Sequence, residues 1–458
     1  MRHSDTKPLC LAEFPASLKH MVSVTLKTLF FCYLGIVLGI GCFSARGNHT
    51  PDDYYIAGRR AGALSLTGSL LATILGSSAI LGSIDFAYAR GWAGAWFMLC
   101  GALGLFLLLF FVKPIASFRG YHLPMLLGRF YGDGVRKLSA GVIAIAWLGV
   151  IGAQLIGAAK ITSTMCGIPY NWAVLAVGLS MTFYTAAGGQ LSIIRTDLLQ
   201  AALIFLGILP LAGTLFFRSP SLEAAPMISP AFGYSDLLAM IFAYSSTYLV
   251  GPDIYSRLFC AKDTATAKQA LVATGTLLIP TAFLLAFIGI YGARLYQRGG
   301  DSILFAIAKG EFHPAFSLLL YFSMLSAILS SADTTLFTAG SLLSQFFVDR
   351  MDTQRSVRLT MGCIAALGLL AILIALRFTS ILTVLLFALA VYAGAFVVPV
   401  LWGLLGKQSS RAYAVAAILT GGALSLTGKL IGGKTGNLLA IVAFAANLLI
   451  LCLGNRKT

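Results

Sequence analysis

Apolar residues run along this chain in unbroken stretches of about twenty, separated by short polar segments. A twenty-residue apolar helix is about 30 Å long, the thickness of the hydrocarbon layer of a bilayer. The pattern therefore predicts an all-α polytopic membrane protein with about 13 transmembrane helices. A leading helix covers 23–44. Ten more follow at about 64–88, 91–113, 138–162, 170–187, 194–217, 236–259, 269–294, 313–346, 357–376 and 380–405, and two trail at 411–430 and 436–453. The stretch ending near 346 exceeds what one crossing needs and is expected to run on into the cytoplasm. Ten-residue alternation of apolar and polar positions does not occur, which excludes an outer-membrane barrel.

Composition strengthens this reading. Of 458 residues, 58% are hydrophobic and 10% charged, with a mean hydropathy of +0.88. A soluble core does not use that much apolar surface, and a disordered chain is polar and charged. The net charge of +16 would point to nucleic acid in a soluble protein. Here the cations lie in short loops between apolar stretches, where they set membrane orientation. With the N-terminus outside, the richer set of loops is cytoplasmic: Arg59 and Arg60; Arg129, Arg136 and Lys137; Arg350, Arg355 and Arg358. An odd number of crossings then leaves the C-terminus in the cytoplasm, and the expected location is a bacterial inner membrane. The first 22 residues form a polar tail, and Met21, just before the first stretch, is an alternative start. The run from Met21 to Ser44 followed by Arg46 suits a retained helix better than a cleaved signal. The eight cysteines are scattered, without a CxxC pair, and read as small buried hydrophobes.

Two crossings are interrupted at matching places. The first of the ten central crossings carries Gly76, Ser77 and Ser78 within LATILGSSAILGS. The sixth carries Ser245, Ser246, Gly251 and Pro252 within AYSSTYLVGPD. Glycine- or proline-broken helices in corresponding positions of two halves are the pattern of a transporter site, and they divide the ten into two sets of five. The expected units are 62–217 and 234–405, with the leading helix 23–44 before them and two helices at 411–454 after them.

Charged side chains at membrane depth are costly and usually functional. Asp197 lies in IIRTDLLQ and Asp333 in AILSSADTTLF, beside Ser330, Ser331, Thr334 and Thr335. Such an oxygen cluster suits a hard cation. Lys160 and Arg257 end their crossings, where snorkelling to the interface is the competing reading. Gly428–Thr435 reads GKLIGGKT and matches the phosphate-loop pattern. That chemistry needs a preceding strand and a βαβ unit, whereas apolar stretches flank the motif on both sides, so no nucleotide partner is expected. Asn48-His49-Thr50 matches a glycosylation acceptor too short to be informative. No HExxH, GxSxG or mid-span histidine occurs, which argues against an enzyme.

Four separated segments, DYYIAGRRAG (53–62), FYTAAGGQLSIIRTDLLQ (183–200), SRLFCAKD (256–263) and LSSADTTLFTAGSLL (329–343), resemble the sodium/solute symporter family. The resemblance spans 23–405. It implies the leucine-transporter-type inverted repeat of five plus five helices and import of a small polar organic solute coupled to Na+, by alternating access. Its shared sodium site implies the carbonyls of Ala72, Leu75 and Ala327 and the hydroxyls of Ser330 and Ser331. Asp197 falls on the family's acidic coupling position, and Asp333 and Thr334 are candidates for a second sodium. Some members carry an aspartate in the first break; Ile74 stands between Thr73 and Leu75 here. The solute is expected between the broken helices, with Thr73, Ser77, Ser78, Gln154, Tyr244 and Tyr248 lining it, and amino acid, carboxylate and sugar all remain open. No uncompensated acid is expected there, which argues against an organic cation. The alternatives are proton coupling through Asp197 or Asp333, and a transporter-like membrane sensor. A sensor usually needs a cytoplasmic output domain, and only about five residues follow the last crossing.

Overall fold

The structure is a computed structural model; it describes residues 16–118, 120–218, 225–295, 302–310, 314–348, 351–378 and 381–454. Among these residues the secondary structure is helical, apart from two isolated β-bridges. The helices in chain order are α1 (Ala16–Ala45), α2 (Pro51–Ile56), α3 (Ala63–Ile74), α4 (Ser77–Arg90), α5 (Trp96–Leu108), α6 (Val112–Ala116), α7 (Leu123–Tyr131), α8 (Asp133–Cys166), α9 (Tyr170–Arg218) and α10 (Tyr234–Met240). They continue as α11 (Ser246–Val250), α12 (Pro252–Cys260), α13 (Thr264–Leu295), α14 (Ile303–Gly310), α15 (Pro314–Ser344), α16 (Gln354–Arg377), α17 (Ile381–Leu404), α18 (Arg411–Ile431) and α19 (Gly433–Leu453).

Among the described residues, eight helical segments are long and apolar enough to cross a membrane. Two of them, Ala79–Ala116 and Tyr170–Phe217, have 38 and 48 residues. At 1.5 Å per residue each is far longer than one bilayer crossing. Both contain a glycine in left-handed backbone, Gly91 (φ +64°) and Gly189 (φ +59°), where the helix direction is interrupted. A side chain at Gly189 would strike Tyr54 at 2.6 Å, so position 189 needs glycine for both backbone and space. Ala63–Ile74, Val391–Leu404 and Leu438–Leu453 are shorter apolar helices.

Local chemistry explains where the helices that frame the interior begin and end. Thr50 caps α2, accepting from the Asp53 N–H while the Asp53 carboxylate accepts from the Thr50 N–H, and Pro51 fills the first turn. Thr353 caps α16 by accepting from the Ser356 N–H. The first break falls at Leu75 and Gly76: α3 stops at Ile74, Gly76 is extended, and α4 restarts at Ser77. The second falls at Gly251, extended before Pro252, whose missing N–H suits the first position of α12. Ser245 and Ser246, expected within this break, are helical instead. They sit where a π-helical turn over 241–245 passes into α11.

α15 runs through the centre of the bundle against α8, α9 and α16 and also touches α3 and α12. α3 packs on α9 and α13, and α17 packs on α8 and α11. At the foot of α3, the Ala61 N–H donates to the Cys260 carbonyl (3.1 Å) and the Lys262 N–H donates to the Ala61 carbonyl (3.3 Å). This two-residue bridge ties the start of α3 to the end of α12. Gly428–Thr435 straddles the turn between α18 and α19, with Gly432 at φ +71° and no preceding strand.

Candidate functional site

The interruption after α3 leaves the carbonyls of Ala72, Thr73 and Leu75 without the i+4 amides that a continuous helix would supply. α15 brings two hydroxyls to them. Ser330 Oγ donates to the Ala72 carbonyl at 2.8 Å and lies 3.1 Å from the Ala327 carbonyl. Ser331 Oγ donates to the Thr73 carbonyl at 3.0 Å. The Ala79 amide, which would otherwise reach the Leu75 carbonyl, bonds that of Gly76. Gly76 allows the approach of α15, because a Cβ there would lie 2.1 Å from Ser331 Oγ. Of the five expected ligand residues, Ala72, Ala327 and Ser330 are joined by direct hydrogen bonds. Ser331 meets Thr73, and Leu75 sits at the break. The result is a buried cage of neutral oxygens, a donor set suited to a monovalent hard cation.

A second cluster lies one helical turn along α15 and is charged. Asp197, Arg257 and Asp333 are fully buried. Arg257 Nη2 donates to Asp197 Oδ2 at 2.9 Å and also to Thr334 Oγ1; Nε donates to Ser69 Oγ at 3.0 Å and Nη1 to Ser256 Oγ at 3.1 Å. Ser69 in turn donates to Asp197 Oδ2. Arg257 therefore does not snorkel: it turns into the bundle and pairs with Asp197. A buried pair of this kind loses hydration on both sides and persists because further hydrogen bonds satisfy it. Asp197 Oδ1 keeps no partner among the described residues. Asp333 lies beside the pair and accepts from Tyr184 Oη at 3.0 Å. Thr334, 3.4 Å from Asp333 Oδ1, also donates to the Ser330 carbonyl at 2.8 Å, so Ser330 joins the charged cluster by its backbone and the neutral cage by its hydroxyl. Lys160 is half-buried within α8.

The expected solute-lining residues divide. Thr73 is half-buried at the first break, its hydroxyl unpartnered among the described residues. Gln154 is buried on α8. Tyr244 packs edge-on against Phe97 (4.8 Å between ring centres), and Tyr248 lies over Gly101 and Gly104 of α5. Ser245 Oγ donates to the Cys100 carbonyl at 2.8 Å in the same contact. These tyrosines therefore face α5, where small residues let two helices approach closely. The side chains of Ser77 and Ser78 lie outside the described set.

The sequence reading passed over one acid. Asp253, the second residue of α12, is half-buried, while Ile254–Cys260 are buried. Both its oxygens accept from Trp147 Nε1 of α8 at 3.1 Å. The Trp147 ring stands against Tyr392 of α17, 4.8 Å between centres, and Tyr392 Oη donates to the Val250 carbonyl at the end of α11. An acid therefore does occupy the region between the breaks. Its position directly after Gly251-Pro252 was the available signal.

A cavity of about 370 Å³ lies at the foot of α3, lined by Asp53, Arg60, Ser65, Ile194 and Arg195 among others. Ser65 lies one turn from Ser69, and Ile194 one turn from Asp197.

Two broken helices, a neutral oxygen cage between the first break and a central helix, and a buried charged cluster beside it define a secondary transporter of the broken-helix type. Residues 54–225 match the model described as "Sodium:solute symporter family". The chain is 23% identical to the sodium/pantothenate symporter of Escherichia coli (strain K12) over 86% of its length and 88% of the relative's. It is 22% identical to the high-affinity proline transporter PutP of Bacillus subtilis (strain 168) over 84% and 88%. With the uncharacterized symporter YwcA of the same organism it shares 24% identity, over 68% of this chain and 66% of the relative. Its fold matches that of a Na+-coupled sialic acid symporter in a substrate-bound outward-open state, with a TM-score of 0.77, 15% identity, and coverage of 95% of this chain and 99% of that one. The closed form of Mhp1, a nucleobase-cation-symport-1 family transporter, matches with a TM-score of 0.62 at 17% identity, over 87% and 93%. Over residues 54–225 the chain is similar to the sodium:solute symporter family, and along most of its length to curated symporters; it is a multi-pass membrane transporter with Na+ as coupling ion, and not an enzyme.

Proposed function

We propose that the chain imports a small polar organic solute by alternating access, with one sodium ion held by the carbonyls of Ala72, Leu75 and Ala327 and the hydroxyls of Ser330 and Ser331. The observation that carries this reading is the closure of Ser330 Oγ on the Ala72 carbonyl across the first break. An ion at this point would replace those hydrogen bonds and draw α3 and α15 together. The two five-helix units 62–217 and 234–405 move against each other, the helices at 23–44 and 411–454 flank them, and thirteen crossings place the N-terminus outside and the C-terminus in the cytoplasm of a bacterial inner membrane. The cavity beside Arg60 and Arg195 then faces the cytoplasm, one turn from Asp197, and supports a release route on that side. Thr73 and Gln154 border the solute space.

A second cation belongs at Asp333 and Thr334. Asp197 already carries the Arg257 guanidinium, leaving Asp333 with Tyr184 as its nearest described donor. Two buried carboxylates against one guanidinium leave one negative charge at membrane depth, which a sodium ion would neutralise. The same arithmetic is satisfied by a proton on Asp333, which is the second reading.

Uptake into proteoliposomes tests both. An inward sodium gradient should drive accumulation of solute from a labelled panel of amino acids, carboxylates and sugars. Accumulation driven by a pH gradient without sodium would replace the first reading with the second. For orientation, cysteines at 355 and 434 in a cysteine-free background are labelled from outside. Labelling at 434 and not at 355 is expected, and the reverse inverts the topology.

A further inference from the structure

The charges of the interior do not balance around Asp253. Three aspartates, Asp197, Asp253 and Asp333, lie in the bundle near a single guanidinium. Arg257, one turn beyond Asp253 on α12, directs its hydrogen bonds to Ser69, Ser256, Asp197 and Thr334, and none of them reaches Asp253. Among the described residues, the hydrogen-bond donor that reaches the Asp253 carboxylate within ordinary distance is the neutral indole N–H of Trp147, with Thr338 and the Arg257 charge nearby. One N–H shared between two oxygens leaves most of the carboxylate's acceptor capacity unused. Asp253 lies in the first turn of α12, where the helix dipole favours negative charge. Its partner Trp147 and the adjoining Tyr392 are buried, whereas Asp253 is only half-buried, so part of it stays accessible.

We infer that Asp253 is the solute-recognition anion, and that the transported solute carries a protonated amine which donates to its carboxylate. This rests on the symport reading above and narrows its solute class: an amine or amino acid fits, whereas a sugar leaves the charge uncompensated and a simple carboxylate is repelled. The ring faces of Trp147 and Tyr392 are covered, so recognition runs through N–H donation to oxygen. Trp147 has a positioning role, fixing the carboxylate from α8. Gln154, seven residues on and buried, lies two turns along the same helix face.

The test is binding to the purified full-length protein, read as ligand-induced thermal stabilisation, in sodium and in potassium buffer. The probes are matched pairs differing in one amine: proline and its ring-oxygen analogue, β-alanine and propionate, putrescine and its diol. Charge-assisted hydrogen bonding predicts that an amine-bearing member binds roughly 10- to 100-fold more tightly than its partner. Asp253→Asn keeps an acceptor for Trp147 and should abolish that difference; Asp253→Glu should retain it. Preference of the wild type for amine-free members, binding of no amine-bearing probe, or an undiminished preference in Asp253→Asn would each overturn the inference. If Asp253→Asn does not fold, the wild type and Asp253→Glu decide. The two buffers separate the readings. Binding of an amine-free member that sodium tightens leaves symport standing and removes the role of Asp253. An amine preference indifferent to sodium does the opposite.

Discussion

The neutral cage at the first break and the charged cluster around Arg257 adjoin on α15, yet they are built on opposite principles. The cage is made of dipoles: ends of a broken helix and two serine hydroxyls, none carrying net charge. An ion can enter and leave because nothing there is left as a bare charge when it departs. The cluster already contains its cation, since Arg257 neutralises Asp197 permanently, and removing either partner leaves a buried charge. The first region is thus suited to exchanging an ion, as proposed, and the second to a structural lock. Asp333 stands between them as the acid without a fixed counter-ion.

The largest effect should come from breaking the lock. Arg257→Gln leaves Asp197 unpaired and is expected to cost about 3–5 kcal/mol, seen as loss of monodisperse protein in detergent. Asp197→Asn in the same chain should restore much of it. Equal loss in the single and double variants would mean that the pair does not hold the cluster together.

The cage should respond in affinity instead. Ser330→Ala with Ser331→Ala removes two oxygens while keeping good helix formers. The sodium concentration for half-maximal uptake should rise roughly 10- to 100-fold, with melting temperature little changed. Gly76→Ala should give the same phenotype by placing a methyl group against Ser331 Oγ. Unchanged sodium dependence in the serine double variant would remove this cage from coupling.

Asp333→Asn sharpens the boundary between the regions. With a second ion at Asp333, the variant should move one fewer sodium per solute, losing about 2.3 kcal/mol of drive per 100 mV. Charge moved per solute in proteoliposomes measures it. A well-folded variant with an unchanged ratio would show that Asp333 only hydrogen-bonds Tyr184.

The smallest effect lies outside the bilayer. His122, buried at the start of α7 against the Tyr55 ring, has its pKa pushed down by burial to about 3. The folded value lies below the ordinary one of about 6.5, so the unfolded chain takes up the proton first. Its contribution is complete above about pH 6.5 and declines by about 1.4 kcal/mol per unit as pH falls toward the folded value. The melting temperature should therefore drop between pH 7 and pH 5.5, and less so in His122→Leu. An identical drop in both would assign the acid sensitivity to other groups.

What could be read in advance depended on how local its cause was. The apolar stretches set the helices, because each crossing satisfies its own backbone groups and reports its length directly. The breaks were also local: Gly76 has no Cβ to keep Ser331 away, and Pro252 has no N–H to continue α11. With those breaks and the Ser330-Ser331 pair, most of the cage was legible. The direction of Arg257 was not. A long cation near a helix end reaches solvent or interior equally well, and only the approach of α9 with Asp197 and of α15 with Thr334 turns it inward. Tyr244 and Tyr248 share a helix face, but α5 decides what that face meets. Asp253 stood in the open beside Pro252, and its meaning comes from Trp147, 106 positions away, and from a guanidinium committed elsewhere. The sequence by itself determined the apolar helices, the places of the breaks and the neutral oxygens beside them, because these arise within one or two turns of chain. The tertiary structure decided which charges pair and which stay available, because pairing depends on helices distant in sequence meeting at one depth.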